Sequence, residues 1–322
     1  MAVVVGIDEA GYGPLLGPLV VSASLLQVTD DLLETCFWQT LRSSVAKTRQ
    51  HARGRLVIND SKKLHDGTGR YRPLQRAVLA YLTAAGDTTP VNLADLITRL
   101  GADCSAELPH YPWYGPTWSD WSLSYDPGDL ATAAAALSSD FSAKNIRHAA
   151  LWSRPVPVGR FNKLLEATHN KATVLFSFVS QLIDHTCRQW PQENLHFLVD
   201  KQSGRTRYRE HLQRLMPDMT MKIVHEENDL SRYRLTGPRR TVDISFVQGG
   251  DRKHLPIALA SMTSKYLREL FMEMLNAYFH QHCPQIKPTA GYYQDGQRFL
   301  KDLKTHNLDP ALAPLHLLVR NR

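Results

Sequence analysis

Acidic residues stand at the ends of three apolar runs that the sequence predicts to be strands. They are Asp8 and Glu9 after residues 2–7, Asp200 after residues 195–199, and Asp251 shortly after residues 242–247. Oxygen atoms are the ligands that Mg²⁺ prefers, and a two-metal phosphodiester site needs several carboxylates brought together from separate parts of the chain. We therefore interpret the four acids as candidate ligands of divalent metal ions.

Each acid taken alone has a simpler interpretation as a turn former or a helix cap. Asp251, for example, could cap the helix that follows it. Asp8 and Glu9 also raise a geometric question, because successive residues of a regular strand point to opposite faces of the sheet. Either the strand twists as it enters Gly11, or Glu9 contributes partly through its backbone carbonyl.

The glycines that follow the first two acids predict a turn whose backbone lies close to a ligand. Gly11, Gly13 and Gly17 are spaced G-x-G-x-x-x-G. A dinucleotide-binding fingerprint is excluded, because Pro14 and Pro18 flank the last glycine and the chain continues as a strand instead of opening a helix.

The order of apolar runs and helical spacings predicts an α/β fold, with a mixed β-sheet flanked by helices. We expect the first two strands to pair antiparallel, because only a short turn joins them. Strands are predicted at residues 2–7, 18–26, 55–58, 195–199, 219–224 and 242–247, and helices at 74–85, 91–100, 162–190 and 255–279.

Residues 101–159 interrupt the alternation of predicted strands and helices. We interpret them as an aromatic-rich insertion within one catalytic domain that covers residues 1–322. The segment contains "YPWYGPTWSDWSLSYDPGD". Its rings could form a stacking platform for unpaired bases. We favour packing of the rings against the loops of the insertion itself, because no basic residue is interleaved with them.

Composition narrows the classes of protein without choosing one. Of the 322 residues 43% are hydrophobic and 21% charged, and the formal net charge of +7 mildly favours an anionic partner such as nucleic acid. No run is long enough to cross a bilayer, so we expect no membrane partner. The four cysteines are widely spaced, which favours reduced thiols and a cytoplasmic location over a zinc site. We expect a monomer.

Several motifs, in order along the chain, resemble the type 2 ribonuclease H family (ribonuclease HII-like). "GIDEAGYGPLLGPLVVSA" is similar to the start of that family, and "NDSKKL" at 59–64 is similar to its D-S-K-K-L segment. "LVD" at 198–200, "GDRKHLPIALASMTSKYLREL" at 250–270 and "AGYY" at 290–293 resemble its later motifs. The resemblance implies a ribonuclease H fold and Mg²⁺- or Mn²⁺-dependent cleavage of RNA in RNA/DNA hybrids. It also implies incision at ribonucleotides embedded in duplex DNA.

The resemblance also implies roles for individual residues. It makes Asp8, Glu9, Asp200 and Asp251 the catalytic metal ligands. Lys62 becomes a phosphate contact, and Tyr292 stacks near the nucleotide beside the cleavage site. Backbone groups at Gly11 and Gly13 would hydrogen-bond the ribose 2′-OH, which distinguishes RNA from DNA, and a Cβ at either glycine would crowd that contact.

The sequence departs from the family at the turn and after the third acid. Tyr12 stands where the family has an arginine, and a tyrosine can only donate one hydroxyl or stack, whereas an arginine can pair with a phosphate. Basic residues after Asp200 could replace that contact or could form a solvated helix face. These residues are Lys201, Arg205, Arg207 and Arg209.

The departures leave two alternative functions beside the hybrid-specific ribonuclease. One is a nuclease of the same fold that acts on a different structured nucleic acid. The other is a non-catalytic nucleic-acid-binding protein. The four acids argue against the second alternative, because a carboxylate cluster repels phosphate unless a metal ion neutralises it.

Overall fold

The computed structural model describes residues 1–64, 71–86, 88–115, 117–202 and 205–321. These residues form nine strands and eleven α-helices. The strands are β1 (Ala2–Ala10), β2 (Leu19–Val28), β3 (Val45–Ala46), β4 (Leu56–Val57), β5 (His148–Val156), β6 (Asn194–Asp200), β7 (Thr220–Glu226), β8 (Leu230–Thr236) and β9 (Thr241–Val247). The helices are α1 (Phe37–Thr40), α2 (Ser61–Leu64), α3 (Arg72–Ala84), α4 (Leu93–Arg99), α5 (Pro127–Ala143), α6 (Val158–Thr168), α7 (Lys171–Gln189), α8 (Arg209–Leu215), α9 (Leu255–His282), α10 (Tyr293–Thr305) and α11 (Leu315–Leu318).

A seven-stranded mixed sheet in the order β5-β2-β1-β6-β9-β8-β7 is the centre of the fold, which confirms the expected class. β1 and β2 pair antiparallel, as their short connection predicts. β1, β6 and β9 run parallel. Since parallel strands end at the same edge of a sheet, the acids that follow these three strands are carried to one edge.

Helices cover both faces of the sheet. α9 crosses β1 and β2 on one face, and α6 and α7 pack on the other. The close approach of α9 depends on Gly6, because a Cβ there would lie 2.1 Å from the backbone carbon of Pro256. The apolar side chains of β1 therefore divide between two cores, with Val4 on the α9 side and Val3 and Val5 on the α7 side. In the described part of the chain, no helix is both long and apolar enough to span a membrane.

The helical pattern expected over residues 162–190 is two helices in the structure. His169 adopts a left-handed conformation with φ of +51°, which ends α6. Asn170 then caps α7, because its side chain accepts hydrogen bonds from the N–H groups of Ala172 and Thr173. The apolar stripe continues across this break, so periodicity alone did not reveal it.

The expected third strand at 55–58 is wrong as part of the main sheet. Those residues contain β4, which pairs only with β3 in a separate two-stranded sheet. The strand that completes the antiparallel part of the main sheet is β5, which pairs with β2. β8 was also missed, although its buried residues Ser231, Tyr233 and Leu235 alternate with exposed ones.

Residues 101–159 contribute to the main core. They supply β5 to the sheet, and Trp113 and Tyr114 are buried. The Trp113 ring stacks on Phe279 of α9 at 6.1 Å between centroids, and the Tyr114 ring meets Phe271 at 5.2 Å. These two rings are thus covered by α9 as well as by their own segment, and they present no open surface to a base.

Candidate active site

A cleft of about 600 Å³ opens at the edge of the sheet where β1, β6 and β9 end. The structure brings all the site residues expected from the sequence to its wall. They are Asp8, Glu9, Gly11, Tyr12, Gly13, Lys62, Asp200, Asp251 and Tyr292. Their roles stay predictions, because their positions alone do not test catalysis.

Asp8 and Glu9 reach the cleft from opposite faces of the sheet edge. Asp8 lies on the α9 side, where Ser261 lowers the pKa of its carboxyl group against the effect of burial. Glu9 lies on the opposite face of the sheet, on the side of the core that contains Tyr208. Because the cleft wraps around the end of β1, the alternation of the strand does not prevent both carboxyl groups from lining it.

Asp200 and Asp251 are held by the chain that follows β9. The Asp200 carboxylate accepts a hydrogen bond of 2.7 Å from the N–H of Gly250. Asp251 lies in a single 3₁₀ turn, Gly250–Arg252. The alternative role of Asp251 as a helix cap does not apply, because α9 has His254 at its N-cap position.

Burial and mutual repulsion make the four acids reluctant to ionise together. Burial, followed by the charges of Glu9 and Asp200, raises the pKa of Asp8 well above its usual value. Burial and Asp200 raise the pKa of Glu9 to about 7. Burial raises the pKa of Asp200 to about 6, and burial together with Asp60 raises the pKa of Asp251. A divalent cation would remove this repulsion, so the donor set fits a hard metal ion.

The acids do not form a closed cage. In the described ranges, the three-residue set whose ligand atoms all lie within 4.8 Å of one another is His225, Glu227 and Asp229, on and after β7. Among the described residues, no three of the cleft acids form such a set.

The cleft contains further polar residues that the sequence interpretation did not assign to the site. Asp60 is buried, and its carboxylate lies 3.8 Å from the guanidinium of Arg252. Ser261 and Lys265 come from α9. The sequence contained a signal for the residues that α9 contributes to the cleft. The polar residues of this helix at 261, 264, 265 and 268 recur at helical intervals within an apolar run.

The glycine-rich turn is braced by two buried arginines. Arg268 donates to the carbonyls of Leu16, Pro18 and Ala290 at 2.8–3.1 Å. Arg320, close to the C-terminal end of the sequence, donates to both Gly11 and Gly17. No local motif reveals these contacts, because they join residues about 250–309 positions apart.

Gly11 and Gly13 differ in whether the surrounding protein leaves room for a side chain. Gly11 has φ of +85°, and a Cβ there would lie 2.6 Å from the carbonyl oxygen of Pro18. Gly13 faces the open cleft, and a Cβ there would have no heavy atom of the described chain within 4 Å. Packing of the protein therefore requires a glycine at position 11 but not at position 13.

The remaining expected residues form the rim. Lys62 is exposed at the start of α2, and its charge lowers the pKa of Glu9 against the effect of burial. Tyr292 is 51% exposed, and its ring lies 5.8 Å from the ammonium of Lys265. Tyr12 is half-buried, and burial followed by the charge of Glu9 raises its pKa.

The basic residues after Asp200 divide into two groups. Lys201 and Arg205 line the cleft, whereas Arg207 and Arg209 line a separate surface pocket. The Lys201 ammonium is already bonded to the carbonyl of Glu227 and the hydroxyl of Ser231. Arg205 is thus the member of this group that is placed to take over a phosphate contact.

Comparison with known proteins gives structural likeness without a sequence match. No protein-family model and no curated protein sequence matches the chain. Ribonuclease HII in its PCNA complex from Archaeoglobus fulgidus is similar over 99% of this chain and 94% of its own, with a TM-score of 0.46 and 17% identity. RNase H3 of Aquifex aeolicus is similar over 98% of this chain and 71% of its own (TM-score 0.39, 11% identity). Ribonuclease H2 of Pyrococcus horikoshii OT3 is similar over 96% and 91% (TM-score 0.37, 13% identity).

The likeness to solved type 2 ribonuclease H structures thus extends over nearly the whole chain, at low identity. It concerns the path of the chain. What the protein does has to be argued from the residues of the cleft.

Proposed function

We propose that the protein is a metal-dependent endoribonuclease of the ribonuclease H type. It cleaves the RNA strand of RNA/DNA hybrids or cuts at ribonucleotides embedded in duplex DNA. One observation carries the proposal: Asp8, Glu9, Asp200 and Asp251, each within a motif of that family, line a single cleft.

The four acids would hold Mg²⁺ or Mn²⁺. When bound, these ions lower the pKa of an attacking water and neutralise charge on the reacting phosphate. The protein itself holds the carboxylates in place. The N–H of Glu9 donates to the Asp8 carboxylate at 2.7 Å, and the N–H of Gly250 donates to the Asp200 carboxylate at 2.7 Å.

Other residues of the cleft would bind the nucleic acid. Lys62 is exposed beside the acids and supplies a positive charge to a phosphate. Backbone groups of the braced turn at 11–13 would hydrogen-bond the ribose 2′-OH, which is the group that separates RNA from DNA. Tyr292 has an exposed ring at the rim on which a sugar or base can stack.

A second candidate is a nuclease that uses the same acids on a different structured nucleic acid. The observation that favours it is Tyr12, which gives the turn a half-buried aromatic side chain in place of a charged one. Binding without catalysis is disfavoured, because unneutralised carboxylates on the cleft wall would repel the phosphates of any bound strand.

A cleavage assay tests the proposal. Purified protein is incubated with Mg²⁺ or Mn²⁺ and with matched substrates: an RNA/DNA hybrid, a duplex with one ribonucleotide, and an all-DNA duplex. We expect cleavage of the first two alone, and loss of at least about 100-fold in rate on Asp251→Asn or Asp8→Asn. Equal cleavage of all three substrates would overturn the preference for ribonucleotides, and no cleavage of any of them by the folded protein would contradict the hybrid-specific ribonuclease and favour the second candidate.

A further inference from the structure

Buried polar atoms without partners lie on the cleft wall that follows β6. Gln202 is only 4% exposed, yet its Oε1 and Nε2 both have no hydrogen-bond partner among the described residues. The Nη1 of Arg205 is also buried and unpaired. An unsatisfied buried polar group is costly, and such groups are rare in native proteins. Since Gln202 and Arg205 line the same cleft, these three atoms indicate a place where a ligand supplies the missing bonds.

Backbone and ring contacts hold Gln202 and Arg205 in place. The N–H of Arg205 donates to the carbonyl of Gln202 at 3.1 Å. The guanidinium of Arg205 lies over the rings of Phe176 and Tyr208, at 5.2 and 5.8 Å from their centroids. Tyr208 is fully buried, and its hydroxyl donates to the Arg205 carbonyl at 3.3 Å. A guanidinium restrained in this way loses little conformational entropy when it binds an anion.

The position of this group in the cleft suggests its ligand. Arg205 and Gln202 line the same cleft as Asp200 and Tyr12, and the charge of Arg205 acts on the Tyr12 hydroxyl. A guanidinium pairs best with a carboxylate or a phosphate, and the neighbouring carboxylates already face the proposed metal ions. The amide Nε2 of Gln202 is a second donor, while its Oε1 can accept from a sugar hydroxyl.

Building on the proposed function, we infer that Arg205 and Gln202 bind one backbone phosphate of the nucleic acid, beside Tyr12. The charged contact with the strand is thus supplied by the chain after β6, while the glycine-rich turn contributes an aromatic ring. Both residues are binding and positioning groups rather than catalytic ones, because the contacts assigned to them are with the strand and not with the reacting atoms.

Arg207 provides a matched control. It lies two residues from Arg205 and carries the same charge, but it is exposed and lines a different pocket with Glu210 and His211. Removing either arginine changes the net charge equally. A general electrostatic effect therefore predicts similar losses, and a built phosphate site predicts a loss at Arg205 alone.

The test measures duplex binding separately from cleavage. Fluorescence anisotropy follows a labelled duplex with one ribonucleotide, at several salt concentrations with Mg²⁺, in the cleavage-deficient Asp251→Asn background. We expect Arg205→Ala to weaken binding about 10-fold and to reduce the slope of log K against log salt by about 1. Gln202→Leu should weaken binding about 3-fold without changing the slope, because the amide is neutral. Arg207→Ala should change affinity by less than about 3-fold.

A swap variant guards against loss of folding. Tyr12→Arg in the Arg205→Ala background should restore most of the affinity and the salt slope, because it returns one guanidinium to the same part of the cleft. In the parent protein it should add less, since it would stand beside Arg205 and be repelled. Arg205→Lys, which keeps the charge and loses the planar fork, should bind between the parent and Arg205→Ala.

The outcomes separate the two proposals. Equal losses at Arg205 and Arg207, in variants with native melting curves, overturn the phosphate site and indicate that a buried water pairs the polar atoms. A protein that shows the Arg205-specific loss in binding but cleaves no substrate retains the phosphate site and loses the proposed nuclease activity. A wild-type protein that binds no duplex overturns both.

Discussion

Two walls of one cleft use arginine in opposite ways. The turn wall consists of residues 11–17 with Arg268 and Arg320 behind it, and the loop wall consists of Lys201, Gln202, Arg205 and Thr206. In the turn wall both Nη atoms of Arg268 and the guanidinium of Arg320 donate to backbone carbonyls of the protein, while the Nε of Arg268 is buried without a partner among the described residues. In the loop wall the Nη1 of Arg205 and the side-chain amide of Gln202 have no such partner. The difference teaches that the pairing of the Nη groups, more than charge or burial, separates the bracing arginines from the one proposed to bind a phosphate.

The bracing wall has a direct consequence for the glycine-rich turn. Its carbonyls at Gly11 and Gly17 point inward to Arg320, so its other backbone groups can face the cleft. Leu15 and Leu16 are in turn bonded through their N–H groups to the carbonyl of Gly291. The turn is thus fixed from two distant parts of the chain before any substrate arrives.

The largest expected effect comes from removing the brace. Arg320→Met leaves the carbonyls of Gly11 and Gly17 without their donor, so we expect a loss of about 3 kcal/mol in the free energy of unfolding. Arg205→Met, in the loop wall, should cost less than about 1 kcal/mol because its Nη1 has no bond to lose. Urea unfolding of both variants measures these losses. Equal losses of stability would contradict the difference between the two walls.

The second effect concerns the two glycines of the turn wall. Gly11→Ala forces a Cβ against the Pro18 carbonyl at a φ of +85°, and should cost about 2 kcal/mol of stability. Gly13→Ala meets no protein atom and should cost less than about 0.5 kcal/mol. Thermal unfolding measures both losses. If Gly13→Ala nevertheless loses cleavage of the single-ribonucleotide duplex, the substrate is what requires that glycine.

A smaller effect is expected for the acids that lie between the walls. Because folding raises the pKa of Asp8, Glu9 and Asp200, the unfolded chain gives up these protons more readily. Without metal, the protein should therefore lose stability as the pH rises from about 4 to about 7, the interval between the ordinary carboxyl pKa values and that of Glu9. Asp8→Asn should be more stable than wild type by about 1–2 kcal/mol at pH 8, and by much less at pH 5.

Unfolding in EDTA at the two pH values measures that difference. Added Mg²⁺ should reverse the order of the two proteins, because the wild type then gains a bound cation. A metal-free Asp8→Asn protein that is less stable than wild type at pH 8 would contradict the repulsion between these acids.

The smallest effect compares two glutamines of equal burial. Gln202 and Gln75 are each 4% exposed, but the Nε2 of Gln75 donates to the Tyr266 hydroxyl at 3.0 Å. Gln202→Leu removes two unpaired atoms and should raise the stability by about 0.5–1 kcal/mol, whereas Gln75→Leu should lower it by about 1 kcal/mol. Chemical denaturation resolves the opposite signs. Destabilisation by Gln202→Leu would mean that the amide is paired, and would weaken the case for a ligand there.

Much of the site could be predicted from local sequence. The acids follow apolar runs, and runs that pair parallel end at the same edge of a sheet, so their meeting required only that β1, β6 and β9 be parallel neighbours. The left-handed Gly11 and the short connection from β1 to β2 follow from the glycine and proline spacing. The mixed sheet with helices on it follows from the order of the elements.

Other features depend on contacts that no window of the sequence contains. The residues at 55–58 are apolar enough for a strand of the main sheet, but β5 takes the place beside β2. The helical stripe over 162–190 gives no sign of its break, since a left-handed residue interrupts the hydrogen bonding and leaves the spacing of apolar residues intact.

The sequence by itself indicated which chemistry the residues of the cleft can support, because carboxylates, glycines and a lysine have their properties wherever they stand. Tertiary structure alone decided which arginine is paired, which is exposed and which keeps an unpaired Nη1. The sequence does not distinguish Arg205, Arg207, Arg268 and Arg320 from one another. Long-range packing pairs Arg320 with Gly11, leaves Arg207 exposed, and leaves the Nη1 of Arg205 buried without a partner in the cleft wall. The reason is physical: hydrogen-bond pairing and burial are properties of neighbours in space, which here lie up to about 309 residues apart in the chain.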